Sequence, residues 1–257
     1  MKLTFDDLGS GKPIVLIHGF PLSKEMWRAQ ADLLAANGFR VILPDLPGFG
    51  NNVPSPFYSI EEMAAQINEL LESLKIEKAI IGGLSMGGYV LFSLFRLFPE
   101  KFSALILCDT TYLADTEEKK NSRFELISKI ENQGSGALIE AMLPNLISED
   151  TKQDNPALKA KLEETFSLVK EVSAVNSLRS MAERKDSSAT LEQISVPTLL
   201  IFGEFDKVTN LDNAHVMNQR ISDSELVVIE KAGHFSNLEQ PEQFNKALLD
   251  FCSRIEF

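Results

Sequence analysis

A serine flanked by glycines lies in the stretch Gly83-Leu84-Ser85-Met86-Gly87. Apolar residues lead into it over 79–81, and a second apolar run follows over 89–98. This pattern predicts a buried strand, a very tight turn and a helix. Such a turn holds the serine in a strained backbone conformation that exposes its hydroxyl, and the flanking glycines let strand and helix approach. Because the helix N-terminus also favours negative charge, the stretch predicts a serine nucleophile.

A serine nucleophile needs a base within hydrogen-bond reach, and the chain offers three histidines, His18, His215 and His234. His215 falls inside a predicted helix, where a surface or packing role is expected. His18 follows the first core strand in a His-Gly loop, and we expect it to brace that loop. His234 follows a predicted strand after Ala232-Gly233 and precedes a loop. We therefore predict His234 as the base.

The base in turn needs an acid that fixes its tautomer and stabilises the imidazolium. Asp206 ends the predicted strand before the one that leads to His234, and the chain order Ser85, Asp206, His234 is the order expected with this type of turn. Asp45 and Asp109 also end predicted strands. Asp45 lies in a Pro/Gly loop, where a turn or cap is expected, whereas Asp109 is a rival candidate. We predict Asp206 as the acid.

A tetrahedral intermediate of acyl transfer carries an oxyanion, which needs two preorganised N–H donors. The serine turn offers the backbone N–H of Met86, and the loop after His18-Gly19 offers that of Phe20. Removing one such donor typically lowers turnover by about 10²–10³. Phe20 and Met86 are therefore the predicted oxyanion hole.

The elements that must position these residues alternate between strands and helices, which predicts an α/β fold with a mostly parallel sheet flanked by helices. Residues Met1 to Leu8 are predicted to form a first strand, followed by a hairpin turn at Gly9-Ser10-Gly11. The remaining strands are predicted at 14–17, 39–43, 79–81, 102–108, 198–202 and 226–229.

This alternation breaks after the fifth core strand, since no strand pattern occurs from Leu113 to Glu192. Charge-rich amphipathic helices are predicted there instead, one of them starting at Asn155-Pro156. We therefore expect an α/β core formed by residues 1–112 and 195–257. An all-helical cap, or lid, is expected over residues 113–194.

The composition restricts the classes of partner and the compartment. The 257 residues are 44% hydrophobic and carry a net charge of −12, which argues against nucleic acid or an anionic membrane as partner. Cys108 and Cys252 both lie in apolar runs and are expected to be buried thiols in a reducing compartment. No apolar run has the length of a signal or transmembrane segment, so we expect a cytoplasmic protein.

Together these motifs resemble those of the α/β-hydrolase superfamily along essentially the whole chain. The nearer likeness is to the branch of oxoadipate enol-lactonases, aryl esterases and cofactor-free perhydrolases. The motifs that carry the resemblance are His18-Gly19-Phe20, Asp45-Leu46-Pro47-Gly48-Phe49-Gly50, Gly83-Leu84-Ser85-Met86-Gly87-Gly88, Gly203-Glu204-Phe205-Asp206, Ala232-Gly233-His234 and, for the branch, Cys108-Asp109-Thr110, Ala141-Met142-Leu143-Pro144 and Asn237-Leu238-Glu239-Gln240-Pro241-Glu242.

The resemblance implies hydrolysis of a small carboxylic ester through an acyl-enzyme, without cofactor or metal. The expected partner is the small-molecule ester, and a homodimer is an open alternative. Opening of an anionic enol-lactone is a second reading, which needs a cation in the pocket. The candidate cations are Arg123, Arg179 and Arg184.

Two further readings use the same residues. Perhydrolysis is one, because Pro21 follows the predicted oxyanion donor and could move a nearby carbonyl. A ligand receptor with slow turnover is the other. The apolar side chains expected around the substrate, for any of these readings, are Trp27, Met142, Leu143, Leu146 and Phe235.

Overall fold

A single sheet organises the computed structural model, which describes residues 2–52 and 57–256. Its seven strands have the spatial order β1-β3-β2-β4-β5-β6-β7. The α/β prediction is confirmed, and each predicted core strand is present. The strands are β1 (Phe5–Gly9), β2 (Lys12–Ile17), β3 (Phe39–Pro44), β4 (Ala79–Leu84), β5 (Phe102–Cys108), β6 (Thr198–Gly203) and β7 (Ser224–Ile229).

Strands β2 to β7 are all parallel to one another where they pair, whereas β1 runs antiparallel to β3. The predicted hairpin between β1 and β2 is wrong. β3 lies between them, pairing Gly9 with Arg40 on one side and Lys12 with Phe39 on the other. The glycine-rich turn after β1 shows only that the chain changes direction there. It does not determine which strand pairs with β1.

Helices cover both faces of this sheet, and the central strands β4 and β6 are buried along their whole length. Cys108 and Cys252 are buried and unpaired. A short 3₁₀ helix at Lys24–Trp27 precedes α1. The helices are α1 (Arg28–Ala36), α2 (Ile60–Ser73), α3 (Met86–Leu97), α4 (Glu117–Gln133), α5 (Gly136–Leu146), α6 (Glu149–Asp154), α7 (Pro156–Ser167), α8 (Glu171–Ala182), α9 (Ser188–Leu191), α10 (Leu211–Arg220), α11 (Ser236–Glu239) and α12 (Pro241–Arg254).

Local capping signals determine where several of these helices begin. The Ser59 side chain accepts the Glu62 N–H while the Glu62 carboxylate accepts the Ser59 N–H, which closes a capping box before α2. The Asn155 side chain accepts the Leu158 N–H and caps α7, whose first residue is a proline. Both starts agree with the sequence patterns.

The segment between β5 and β6 contains helices α4 to α9 and, among the described residues, no strand. That it works as a lid over the site stays a prediction. In residues 2–52 and 57–256, no helix combines the length and the apolar composition needed to cross a bilayer.

Candidate active site

The sharp turn between β4 and α3 holds Ser85 with φ 54° and ψ −113°. This left-handed conformation is rare for a residue with a side chain and is typical of functional sites. Close packing maintains the turn, because a Cβ on Gly87 would lie 2.4 Å from the carbonyl oxygen of Ile17 at the end of β2. The neighbouring strand therefore leaves room only for glycine at that position.

The structure brings together the three side chains predicted to act on one another, although they come from distant parts of the chain. His234 Nε2 lies 2.8 Å from Ser85 Oγ. His234 Nδ1 lies 2.9 Å from Asp206 Oδ2. Both contacts have the length expected when a base accepts the nucleophile's proton and an acid orients the base. Ser85 is 7% exposed, whereas His234 and Asp206 are 1% and 6% exposed.

The Asp206 carboxylate has a second set of donors that fix its position. Oδ1 accepts the N–H groups of Val208 at 2.7 Å and Thr209 at 3.1 Å, and Oδ2 accepts the Thr209 hydroxyl. Burial by itself would raise the pKa of Asp206, but the facing His234 and the Thr209 donors outweigh it and lower the pKa to about 2. The carboxylate is therefore ionised and can stabilise an imidazolium.

The two predicted oxyanion donors lie beside the serine with free N–H groups. Among the described residues, neither Phe20 N–H nor Met86 N–H donates a hydrogen bond within the chain. A Cβ on Gly19 would lie 3.4 Å from Ser85 Cβ, so this loop packs directly against Ser85. Both donors are thus available to a negative oxygen formed next to Ser85.

The other two histidines have the non-catalytic positions that the sequence predicts. His18 Nδ1 lies 3.0 Å from Gly19 O, and its Nε2 accepts the Leu46 N–H at 2.9 Å. Complete burial lowers the pKa of His18, so a neutral ring with the proton on Nδ1 satisfies both contacts. His18 therefore connects the Phe20 loop to the loop after β3. His215 is exposed on α10.

Asp109, the rival acid, lies at the end of β5 but bonds to other groups. Its carboxylate accepts the Gly203 N–H at 2.8 Å and the Ser236 hydroxyl. Burial, followed by the charge of Asp206, raises the pKa of Asp109 well above its usual range. His234 Nδ1 bonds to Asp206, so Asp109 links the end of β6 to the first residue of α11 without contacting His234.

Glu239 on α11 is a site residue that the sequence reasoning missed. Its Oε1 accepts the N–H groups of Gly233 at 2.9 Å and Phe235 at 3.3 Å, on either side of His234. Its Oε2 accepts the Ser148 N–H at 2.8 Å and the Thr151 hydroxyl at 2.7 Å, both from the helical segment. The only sequence signal was a carboxylate five residues after the histidine, within the motif that carries the branch likeness.

The predicted substrate pocket is only partly matched. A cavity of about 600 Å³ lies against Tyr89, on the helix after Ser85, and Val208, in the loop after Asp206, and Met142 lines it. Trp27 does not line it, because its ring is fully buried against Phe244 of α12. The other three predicted pocket residues are buried side chains that do not line this cavity either, namely Leu143, Leu146 and Phe235.

Two of these buried residues lie against His234 instead. The Leu146 carbonyl oxygen accepts the His234 N–H at 3.0 Å. The Phe235 ring lies 5.7 Å from the His234 ring, measured between centroids. An apolar residue next to the site in sequence can thus hold the catalytic loop without facing substrate, and the sequence does not distinguish these roles.

The sequence and the fold are both similar to those of known proteins. The sequence matches the family described as alpha/beta hydrolase fold over residues 12–133 and 143–241. A thermophilic esterase from Thermogutta terrifontis is 37% identical, with a TM-score of 0.93 over 99% of this chain and 94% of that chain. The 3-oxoadipate enol-lactonase 1 of Acinetobacter baylyi is 28% identical over 95% of this chain and 89% of the relative. A bromoperoxidase from Bacillus anthracis, 23% identical with a TM-score of 0.88 over 98% of this chain and 95% of that chain, shares the fold.

Proposed function

Because the chain belongs to the alpha/beta hydrolase family of enzymes, we propose that it hydrolyses a small carboxylic ester through an acyl-enzyme on Ser85. The family resemblance predicted from the motifs is thereby confirmed, whereas the reaction itself is our proposal. The observation that carries it is the continuous hydrogen-bonded line from Ser85 through His234 to Asp206, with distances of 2.8 and 2.9 Å. The esterase and enol-lactonase relatives support the same class of reaction.

In the first half of the reaction, Ser85 Oγ attacks the ester carbonyl carbon while its proton passes to His234 Nε2. Asp206 stabilises the imidazolium that results and is not itself protonated. The carbonyl oxygen becomes an oxyanion, which the N–H groups of Phe20 and Met86 would bind. When the intermediate collapses, the imidazolium gives its proton to the leaving alcohol, and the acyl group stays on Ser85.

The second half repeats these steps with water as the nucleophile. Water attacks the acyl carbonyl carbon and loses its proton to His234, and the second intermediate collapses to release the acid and return the proton to Ser85. Consumption of one ester and one water thus yields one acid and one alcohol. The enzyme returns to its starting protonation state.

Replacing the nucleophile tests the proposal. Ser85→Ala should lower kcat for p-nitrophenyl acetate by about 10⁴–10⁶, since removal of a triad serine leaves only binding and oxyanion stabilisation. Ser10→Ala is the matched control, because Ser10 is an exposed serine outside the site, and it should keep the parent rate. Turnover by Ser85→Ala within tenfold of the parent would contradict the assignment.

The receptor reading makes a different kinetic prediction. A slow-turnover receptor releases about one equivalent of p-nitrophenol and then stalls, because deacylation limits it. An esterase continues at a steady rate with excess ester. Stopped-flow measurement of p-nitrophenol release over many enzyme equivalents separates the two readings, and we expect steady multiple turnover.

A further inference from the structure

The cavity beside the site carries a charge opposite to that of the whole chain. Its volume is about 600 Å³, and the chain has a net charge of −12. Basic side chains nevertheless outnumber carboxylates in its lining by five to two. We name this space the basic cavity. Its charged lining residues are Lys119, Arg123, Lys129, Arg184 and Lys207, with Asp115 and Glu125.

The basic cavity is continuous with the elements that form the triad. Tyr89 lines it and lies one helical turn after Ser85, with its N–H 3.3 Å from the Ser85 carbonyl oxygen. Val208 also lines it and donates its N–H to Asp206 at 2.7 Å. The basic cavity therefore adjoins the helix that follows Ser85 and the loop that holds Asp206.

Two arginines in the wall of the basic cavity share a single carboxylate. Arg184 Nη1 lies 2.8 Å from Asp115, and Arg123 Nε bonds to the same side chain. Arg184 is only 7% exposed, and its guanidinium lies 4.2 Å from the centroid of the Tyr89 ring. The pair thus leaves an excess positive charge at a largely buried position, where charge interactions are stronger than in water.

Some donors in the lining have no acceptor within the described residues. Arg184 Nη1 and Nη2 donate to the carbonyl oxygens of Met181 and Leu113, but its buried Nε has no partner in the part of the chain that the structure describes. In the same described residues, Lys119 and Lys129 form no ion pair. The exposed ammonium groups of Lys119 and Lys129 are therefore free to form charge-assisted hydrogen bonds with an anionic ligand.

We propose that the basic cavity binds a carboxylate of the substrate, so that the ester or lactone cleaved at Ser85 is an anion. This inference rests on the proposed function and adds the substrate class to it. A guanidinium and flanking ammonium groups bind a carboxylate by charge-assisted hydrogen bonds, and the acyl carbon of the same molecule then lies over the nucleophile. Arg179 has no part in this site, since it does not line the cavity and its nearest carboxylate is that of Glu131 at 3.7 Å.

The test compares an anionic and a neutral ester of similar length, p-nitrophenyl hydrogen glutarate and p-nitrophenyl hexanoate. The Lys119→Gln/Lys129→Gln double variant should lower kcat/KM for the anionic ester about threefold to tenfold, as expected for two exposed charges. Arg123→Gln should lower it about 10- to 100-fold, because a hydrogen bond to a charged group is lost. Both effects should appear in KM, and kcat/KM for the hexanoate ester should stay within twofold.

The matched control is Lys2→Gln/Lys78→Gln, which removes the same charge from two exposed lysines outside the basic cavity. It should change neither ester by more than twofold. Because Arg123 also bonds to Asp115, thermal unfolding is measured for every variant, and the lysine pair decides the outcome if Arg123→Gln unfolds.

The anion proposal would be overturned if a variant lost kcat/KM equally for both esters. It would also be overturned if Lys119→Gln/Lys129→Gln and Lys2→Gln/Lys78→Gln lost kcat/KM equally for the anionic ester. Neither result would contradict hydrolysis at Ser85. Absence of any ester hydrolysis by the parent would overturn the proposed function itself. A further experiment distinguishes an anionic open-chain ester from an anionic lactone as the substrate. It compares kcat/KM for a lactone that bears a carboxymethyl group with kcat/KM for the methyl ester of the same lactone. If the enzyme prefers the free acid among lactones but not among open-chain esters, it is a lactonase.

Discussion

Asp109 and Asp206 are buried carboxylates at the ends of neighbouring strands, and their surroundings shift their pKa values in opposite directions. Burial, and then the Asp206 charge, raise the pKa of Asp109 well above its usual range. The pKa of Asp206 falls to about 2, because His234 and the Thr209 donors outweigh its burial. The ionised partner is the one that bonds to the base, which is the division of roles expected where two acids lie close together.

Neutral substitutions should separate these two acids. Asp206→Asn should lower kcat by about 10⁴, because the amide no longer fixes the correct histidine tautomer. Asp109→Asn should stay within tenfold of the parent, since an amide can still accept the Gly203 N–H and contact the Ser236 hydroxyl as a protonated acid does. Steady-state kinetics on a p-nitrophenyl ester measure both, and the reverse order of losses would make Asp109 the acid.

A pH series of unfolding provides a second readout for Asp109→Asn. Above pH 3.8, the usual pKa of this carboxyl, the unfolded chain releases the proton that the folded protein retains. The free energy of unfolding contributed by Asp109 therefore decreases as the pH rises. Asp109→Asn lacks this titration and should gain stability relative to the parent between pH 4 and neutrality, as measured by urea unfolding.

At the scale of single residues, the sequence predicted three side chains that the structure brings together, but not the groups that hold them in place. Ser85, Asp206 and His234 were predictable because each follows a strand in a recognisable motif. Glu239 and the Leu146 carbonyl oxygen were not, since they act through backbone N–H groups that meet only after folding. A carboxylate or an apolar residue in a helix has no sequence mark of such a role.

At the scale of elements, the apolar runs predicted the core strands because a parallel sheet buries both faces of its strands. The pairing of β1 was not predictable from the turn residues, since the edge it occupies depends on where β3 lies. The same limit applies to Trp27, whose burial against α12 depends on the packing of helices far apart in sequence.

The strand-to-helix turn depends on close backbone approach, and one methyl group should disturb it. A Cβ at Gly87 would lie 2.4 Å from the Ile17 carbonyl oxygen and 3.0 Å from that of His18, so the backbone must move. Gly87→Ala should lower the free energy of unfolding by about 1–3 kcal/mol. It should also lower kcat about 100-fold, because displacement of Ser85 by about 1 Å misaligns the nucleophile.

Gly136→Ala is the matched control for this glycine substitution, because no heavy atom lies within 4 Å of the added Cβ at the start of α5. It should leave kcat unchanged and increase stability by up to about 1 kcal/mol, since alanine favours helix. Thermal unfolding and kcat are measured on both variants. Equal behaviour of the two would show that the turn tolerates a side chain.

At the scale of the whole molecule, the helical segment is joined to the sheet on two sides of the site. On one side, the Ser187 N–H donates at 2.8 Å to the carbonyl oxygen of Tyr112, which lies four residues after β5 ends. On the other side, Ser148 donates its hydroxyl to the Lys231 carbonyl oxygen at 2.8 Å. The segment that lines the basic cavity is therefore held to the residues that follow β5 and to the loop between β7 and His234.

Glu239 adds to the connection formed by Ser148 and Lys231, because its single carboxylate binds both the helical segment and the loop that holds His234. A glutamine has one carbonyl oxygen, so Glu239→Gln must direct its amide hydrogens at one pair of donors, either Gly233 and Phe235 or Ser148 and Thr151. Leaving buried donors unpaired costs about 1–3 kcal/mol. We expect urea unfolding to show a loss of that size.

Kinetics should show that this connection also positions His234. A looser loop should lower kcat about tenfold with little change in KM, because proton transfer depends on the geometry of the base while substrate binding does not. Glu242→Gln is the matched control, since it removes the same charge from an exposed residue three positions after α11 ends, and it should leave stability and kcat unchanged. If Glu239→Gln is less stable but keeps the parent kcat, Glu239 stabilises the fold and does not position His234.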